Sequence, residues 1–260
     1  YHCVSRCVRR AFLCGNDPYT GKSFDHRKAW VQSRLELLAR TFAMEICAFA
    51  VMSNHAHVVL RTRPDLAEAW SDEETAARWL MVFPKRKTPD GWPVPPSPGE
   101  INSLAGQIEV IRARLASVSW FLRSLNENIA RRANREDGCK GRFWEGRFRC
   151  QVLLDEAAVL TCLTYVDLNP VRAGEAFSPE TSPHTSVFLR IRARQAREKE
   201  KAAELEVSPS LSPESQKHWE SRKAWIRADE WLCPFKNDPE EHRSGLMDIT
   251  LERYLEILDW

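Results

Sequence analysis

Apolar positions change period along the chain, and each change predicts an element boundary. Residues 1–11 alternate loosely, the two-residue rhythm of a strand. Gly15-Asn16-Asp17-Pro18 and Gly21 then read as a loop, with Asp25 placed to cap a helix. Val31, Leu35, Leu38 and Phe42 recur at spacings of four, three and four, which predicts one buried face of a helix ending near Met44. Residues 46–52 and 56–61 are strand-like runs separated by Ser53-Asn54, the pattern of a tight hairpin.

Residues 66–83 carry helical spacing, whereas 84–99 hold five prolines besides Pro84 and must form a loop or mobile insert. Helical pattern resumes over 100–135 and breaks at Gly138 to Gly141. Residues 142–154 alternate as a further strand, and Asp155 is placed to cap a helix through Leu168. The order strand-helix-strand-strand-helix-strand-helix predicts an α+β protein with a ferredoxin-like (RRM-like) antiparallel sheet and helices on one face. The long middle helices and the Pro-rich segment are then insertions.

After Gly174 the texture shifts: Ser178-Pro179, Ser182-Pro183 and a Ser/Pro cluster over 208–213 punctuate a charged helix over 187–206. Residues 215–260, with four tryptophans, predict a small helical appendage without evident chemistry. The expected division is therefore 1–175, carrying the insert, and a helical extension over 176–260. No repeat of 20–50 residues is visible.

Composition narrows the class. The chain has 260 residues, 43% hydrophobic and 28% charged, proportions of a globular protein rather than a disordered or collagen-like one. Its longest apolar run, 46–52, is far short of the roughly 18 residues a spanning helix needs. No leader pattern opens the chain, and because it starts at Tyr1 we expect a few native residues to precede it. Eight cysteines are too dilute for a disulfide scaffold and are expected as reduced thiols of a cytoplasmic protein.

Net charge is only +2, but residues 1–63 carry +6 and 108–152 carry +5, leaving −9 for the rest. Folded together, the two basic stretches would attract a polyanion; ordinary solvated charge is the bland alternative. Arg123, Arg131, Arg132, Arg135, Lys140, Arg142, Arg147 and Arg149, interleaved with Trp120, Phe143, Trp144 and Phe148, suit a backbone-tracking, base-stacking surface. The alternative is a solvated helix over core aromatics.

Two short motifs carry candidate chemistry. His55 and His57 open a strand and point to one face, while Ala56, Val58 and Leu60 point to the other. Two neutral imidazoles a strand-step apart can ligate one divalent ion, though such a pair also arises by chance on a surface. Tyr165 and Asn169 lie one helical turn apart, and Pro170 holds Asn169 at a helix end. Of four tyrosines, Tyr1 is terminal, Tyr19 lies in a loop and Tyr254 in the extension, so chemistry by a tyrosine falls to Tyr165. Cys3, Cys7 and Cys14 raise a rival zinc reading, but two of them lie on a predicted strand rather than a knuckle, and the set reads as buried thiols.

Three ordered motifs then resemble one family. The His-x-His strand, Arg142-Phe143-Trp144-Glu145-Gly146-Arg147-Phe148, and the run from Tyr165 through Asp167-Leu168-Asn169-Pro170-Val171-Arg172-Ala173-Gly174 resemble the REP-associated tyrosine transposases, single-tyrosine members of the HUH endonucleases. Tyr1-His2-Cys3 and Arg6 also look like that family's first strand. The resemblance covers about residues 1–175; Ala56 between the histidines, the Pro-rich insert and the tail depart from compact members.

The resemblance implies that His55 and His57 bind Mg²⁺ or Mn²⁺ with Asn169 as third ligand. It implies that Tyr165 attacks a phosphodiester of single-stranded DNA at hairpin-forming repeats, leaving a 5′-phosphotyrosine and a free 3′-hydroxyl. A phenol ionises near pH 10, so attack on a phosphate needs a polarising ion and in-line positioning. The covalent link conserves phosphodiester energy, and the chain carries no GxxxxGK[ST] nucleotide loop. The expected partner is single-stranded or hairpin DNA, with no membrane and no nucleotide cofactor. Two rivals remain: a catalytically silent binder of structured DNA or RNA, and, ranked last for want of an HExxH-type glutamate, a zinc hydrolase.

Overall fold

A computed structural model describes residues 1–8, 13–17, 20–89, 91–205, 224–236 and 244–259. The expected strand end at 9–11, Pro18, Tyr19, the Ser/Pro cluster at 208–213 and the end of the charged helix at Glu206 lie outside the described residues.

The elements run β1 (His2–Arg6), α1 (His26–Thr41), β2 (Met44–Val51), β3 (His55–Thr62), α2 (Pro64–Ala69), α3 (Asp72–Val82), α4 (Pro98–Asn102), α5 (Ile108–Leu115) and α6 (Val118–Glu136). They continue with β4 (Arg149–Gln151), α7 (Glu156–Asp167), α8 (Asn169–Arg172), α9 (Ser186–Leu205) and α10 (Leu251–Leu258). Several boundaries differ from the sequence pattern for local reasons. α1 stops at Thr41 because Phe42 turns extended, freeing Met44 to begin β2. The single helix expected over 66–83 is two, because Ser71 accepts a hydrogen bond from the Glu74 N–H and starts a new helix. The strand expected over 142–154 shrinks to three residues, since Phe143 and Trp144 serve as packing anchors ahead of it. Phe143 is buried, and the Trp144 indole donates to the Asn126 carbonyl on α6 at 2.8 Å.

The four strands form one antiparallel sheet in the order β2-β3-β1-β4. Helices cover both of its faces, which corrects the one-faced expectation. On one face Cys3, Val58 and Leu60 pack with Val31 and Leu35 of α1, Leu115 of α5, and Phe121 and Ile129 of α6. On the other, Ala50 and Val59 pack with Leu163 and Val166 of α7, Val187 and Ile191 of α9, and Tyr254 and Leu258 of α10. The reason is visible in β2: Met44-Glu45-Ile46-Cys47-Ala48-Phe49-Ala50-Val51 has almost no polar alternation, and a strand apolar on both sides needs cover on both.

The cover on the second face comes largely from beyond Gly174. The Val51 N–H donates to the His184 carbonyl, the Cys233 N–H to the Ile46 carbonyl, and buried Arg190 to the carbonyls of Cys47 and Cys233. Fully buried Asp167 ties these parts together. Its carboxylate accepts from the Ser186 hydroxyl at 2.5 Å, the Val187 N–H at 3.2 Å and the Tyr254 hydroxyl at 2.7 Å. Burial raises its pKa, opposed by those three donors and by the charge of Arg190. Among the described residues no helix is long and apolar enough to cross a membrane.

Candidate active site

Strand register assembles the site before any helix is added. In β3, His55 and His57 share a face with ring centroids 4.7 Å apart. β1 lies antiparallel beside them, with Arg6 opposite His55 and Val4 opposite His57, and Val4 in turn faces Arg149 of β4. Directly paired residues share a face, so His2, Arg6 and Arg149 stand with the histidines. α7 crosses this face. It buries Cys162, Leu163, Val166 and Asp167, which leaves Tyr165 41% exposed with its ring edge-on to His57 at 5.6 Å. Asp155, whose carboxylate accepts from the Ala158 N–H, caps α7 and helps set that rotation.

The result is a cleft of about 440 Å³. It is lined by His55, His57 and Tyr165 together with Arg6, Glu145, Arg147 and Arg149. Arg6, Arg147 and Arg149 have no carboxylate within ion-pair distance among the described residues, so three cations converge on the cleft with only exposed Glu145 lining it as counter-charge. The Arg147 guanidinium donates to the Ser119 hydroxyl at 3.2 Å, and Arg172 lies 5.9 Å above the Tyr165 ring.

Hydrogen bonds bear on the imidazole tautomers. Nδ1 of His55 is 2.5 Å from the Asn54 side-chain oxygen, which can only accept, so Nδ1 carries the hydrogen and Nε2 keeps its lone pair. Nδ1 of His57 is 2.9 Å from Nε2 of His2, while Nε2 of His57 is buried with no hydrogen-bond partner among the described residues. Burial lowers the pKa of His2 and His55, and pushes His57 down to about 3 with the neighbouring His55 and His2 adding to the effect. All three rings are therefore neutral at pH 7, the state in which imidazole ligates metal.

The chemistry of this donor set fits a divalent ion at His55 and His57: neighbouring neutral rings, one tautomer held by Asn54, and one buried nitrogen left unpartnered. Asn169, the third ligand implied by the resemblance, is not among the residues lining the cleft. α7 ends at Asp167, and Asn169 opens the next short helix, half-buried and outside the cleft wall. Among the described residues no group of three or more His, Cys, Asp or Glu side chains is arranged to hold a metal, and Cys3, Cys7 and Cys14 are buried thiols.

The basic set divides. Arg147 and Arg149 line the cleft, whereas Arg123 and Arg131 both pair with Glu127 on α6, and Arg132 stacks on Trp30 at 3.8 Å. Arg135, Lys140 and Arg142 are exposed and outside the cleft. His2, Arg6 and Glu145 join the site although pattern reading did not select them. Alternation in β1 puts His2, Val4 and Arg6 on one face, but only the register with β3 shows that this face is the histidine face. Compared with known proteins, the chain matches no family model, no curated protein and no solved structure.

Proposed function

We propose that the protein is a metal-dependent single-strand DNA endonuclease and strand transferase of the HUH single-tyrosine type, acting on hairpin-forming DNA through Tyr165. One observation carries the reading: segments distant in sequence meet so that an exposed tyrosine stands 5.6 Å, ring to ring, from buried His57, the neutral partner of half-buried His55. Arg6, Arg147 and Arg149, which pair with no carboxylate among the described residues, line the same cleft and suit a phosphodiester flanked by further phosphates. The ferredoxin-like description belongs to this reading and is supported by the strand order β2-β3-β1-β4 and the helical crossover from β1 to β2. It implies a cytoplasmic, nucleoid-associated protein.

His55 and His57 would hold Mg²⁺ or Mn²⁺, and neutral imidazoles favour Mn²⁺ of the two. When bound, the ion supplies Lewis-acid polarisation of the scissile phosphate. The rest falls to the chain. The arginines bind and orient the phosphates; Asn54 holds the ring of His55 and His2 contacts that of His57; the Tyr165 hydroxyl attacks phosphorus, its proton leaving to solvent. The bond to the 3′ oxygen breaks and that oxygen takes a proton from solvent, yielding a 5′-phosphotyrosine and a 3′-hydroxyl that can later reverse the step.

The test is incubation with hairpin-containing single-stranded DNA and Mn²⁺. A protein–DNA adduct that survives denaturing electrophoresis is expected, and Tyr165→Phe should abolish it. If no such DNA gives a Tyr165-dependent adduct, the enzymatic reading falls. The position of Asn169 outside the cleft favours a second reading, a silent binder of structured DNA or RNA, which predicts that Tyr165→Phe changes no assayable property.

A further inference from the structure

The cleft does not end at the tyrosine. Gly146 and Arg147 also line a second depression, of about 490 Å³, whose walls include Trp120, Arg123 and Asn126 of α6 with Trp144 and Phe148 of the connecting loop. Arg147 and Phe148 in turn border a third, of about 520 Å³, running toward Tyr1 and Cys150. Arg147 thus stands at the junction of three contiguous depressions.

From this geometry we infer that the groove along α6 is the path of an unpaired DNA strand entering or leaving the cleft, with bases against the Trp120–Trp144–Phe148 wall and phosphates on Arg147 and Arg123. The inference rests on the nuclease reading for its direction into the cleft, but its evidence is separate.

Charge and shape both point to an unpaired strand. Arg123 is exposed and stacks over Trp120 at 4.9 Å, with its one nearby carboxylate, Glu127, at 3.6 Å and shared with Arg131. Arg114 stacks on Trp120 at 4.5 Å. Guanidinium planes laid on indoles offer both the charge a phosphate needs and the flat surface a base needs. A paired duplex hides its base faces, so an aromatic wall of this kind rewards single strands.

The experiment uses the full chain and fluorescein-labelled dT20, with a 20-base-pair duplex and rU20 as comparators, titrated at several salt concentrations. dT20 should bind more tightly than either comparator. Arg123→Glu should weaken dT20 binding about tenfold and lower the log–log salt slope by about one. Lys140→Glu, the same charge change outside groove and cleft, should cost under about threefold. With 5-iodouracil in the oligonucleotide, irradiation should attach it to peptides containing Trp120 or residues 143–148. Equal losses in the two variants, cross-links only elsewhere, or tighter binding of duplex or rU20 would overturn the inference. The Tyr165 adduct with Mn²⁺ is scored separately. Groove cross-links without an adduct would sink the nuclease reading alone, and an adduct without groove cross-links would sink this one alone.

Discussion

His57 shows how much a single residue's meaning depends on its neighbours. In the sequence it is half of a His-x-His pair; in the fold it is 4% exposed, edge-on to Tyr165, stacked on His2, and its pKa is pushed down to about 3 by burial. A histidine whose folded pKa is depressed binds fewer protons folded than unfolded. Its contribution is intact above the unfolded value near 6.5 and is lost as pH falls below that toward the folded value. His2 and His55 shift the same way, so acidification from pH 7 to 5 should destabilise the protein, with His57 alone contributing about 2 kcal/mol. Urea unfolding at the two pH values measures this, and His57→Gln should remove part of the difference. An unchanged pH dependence in that variant would show that the ring is not held neutral.

Elements here are joined by buried polar ties as well as apolar contact, and Asp167 is the clearest. It sits in the Tyr165-to-Gly174 motif, yet its side chain points away from the cleft to α9 and α10. Anchoring the end of α7 in this way fixes the rotation that presents Tyr165. Tyr254→Phe removes one donor from a fully buried carboxylate and should cost about 1–3 kcal/mol in denaturant unfolding. A variant as stable as the parent would mean that water replaces the lost hydroxyl. Helix existence was legible from periodicity: Val31, Leu35 and Leu38 are all buried on α1, as their spacing requires. Boundaries were less so, because a cap such as Ser71 or an anchor such as Trp144 acts over one or two residues and leaves no periodic trace.

For the whole molecule, the stretch beyond Gly174 covers the second face of the sheet, where Ala50 and Val59 meet Val187, Ile191 and Tyr254. A chain ending at Gly174 should therefore expose that face, bind an apolar dye and lose its cooperative thermal transition. A truncated chain that melts sharply at the parent's temperature would refute this. The charge asymmetry noted in the sequence also acquires a location. Of the basic residues in the two stretches, Arg6, Arg147 and Arg149 reach the cleft without acidic partners among the described residues, while Arg27, Arg61, Arg63, Arg112, Arg123 and Arg131 are spent on ion pairs.

What the amino-acid sequence determined alone was whatever is local and periodic: strands and helices in their order, and the shared face of His55 and His57. Tertiary structure decided what depends on register and packing. It brought His2 and Arg6 to the histidines, drew α9 and α10 over the second face of the sheet, and left Asn169 outside the cleft. The reason is physical: a side-chain period is a property of a few consecutive residues, whereas the neighbour across a strand is chosen by the burial of the whole sheet.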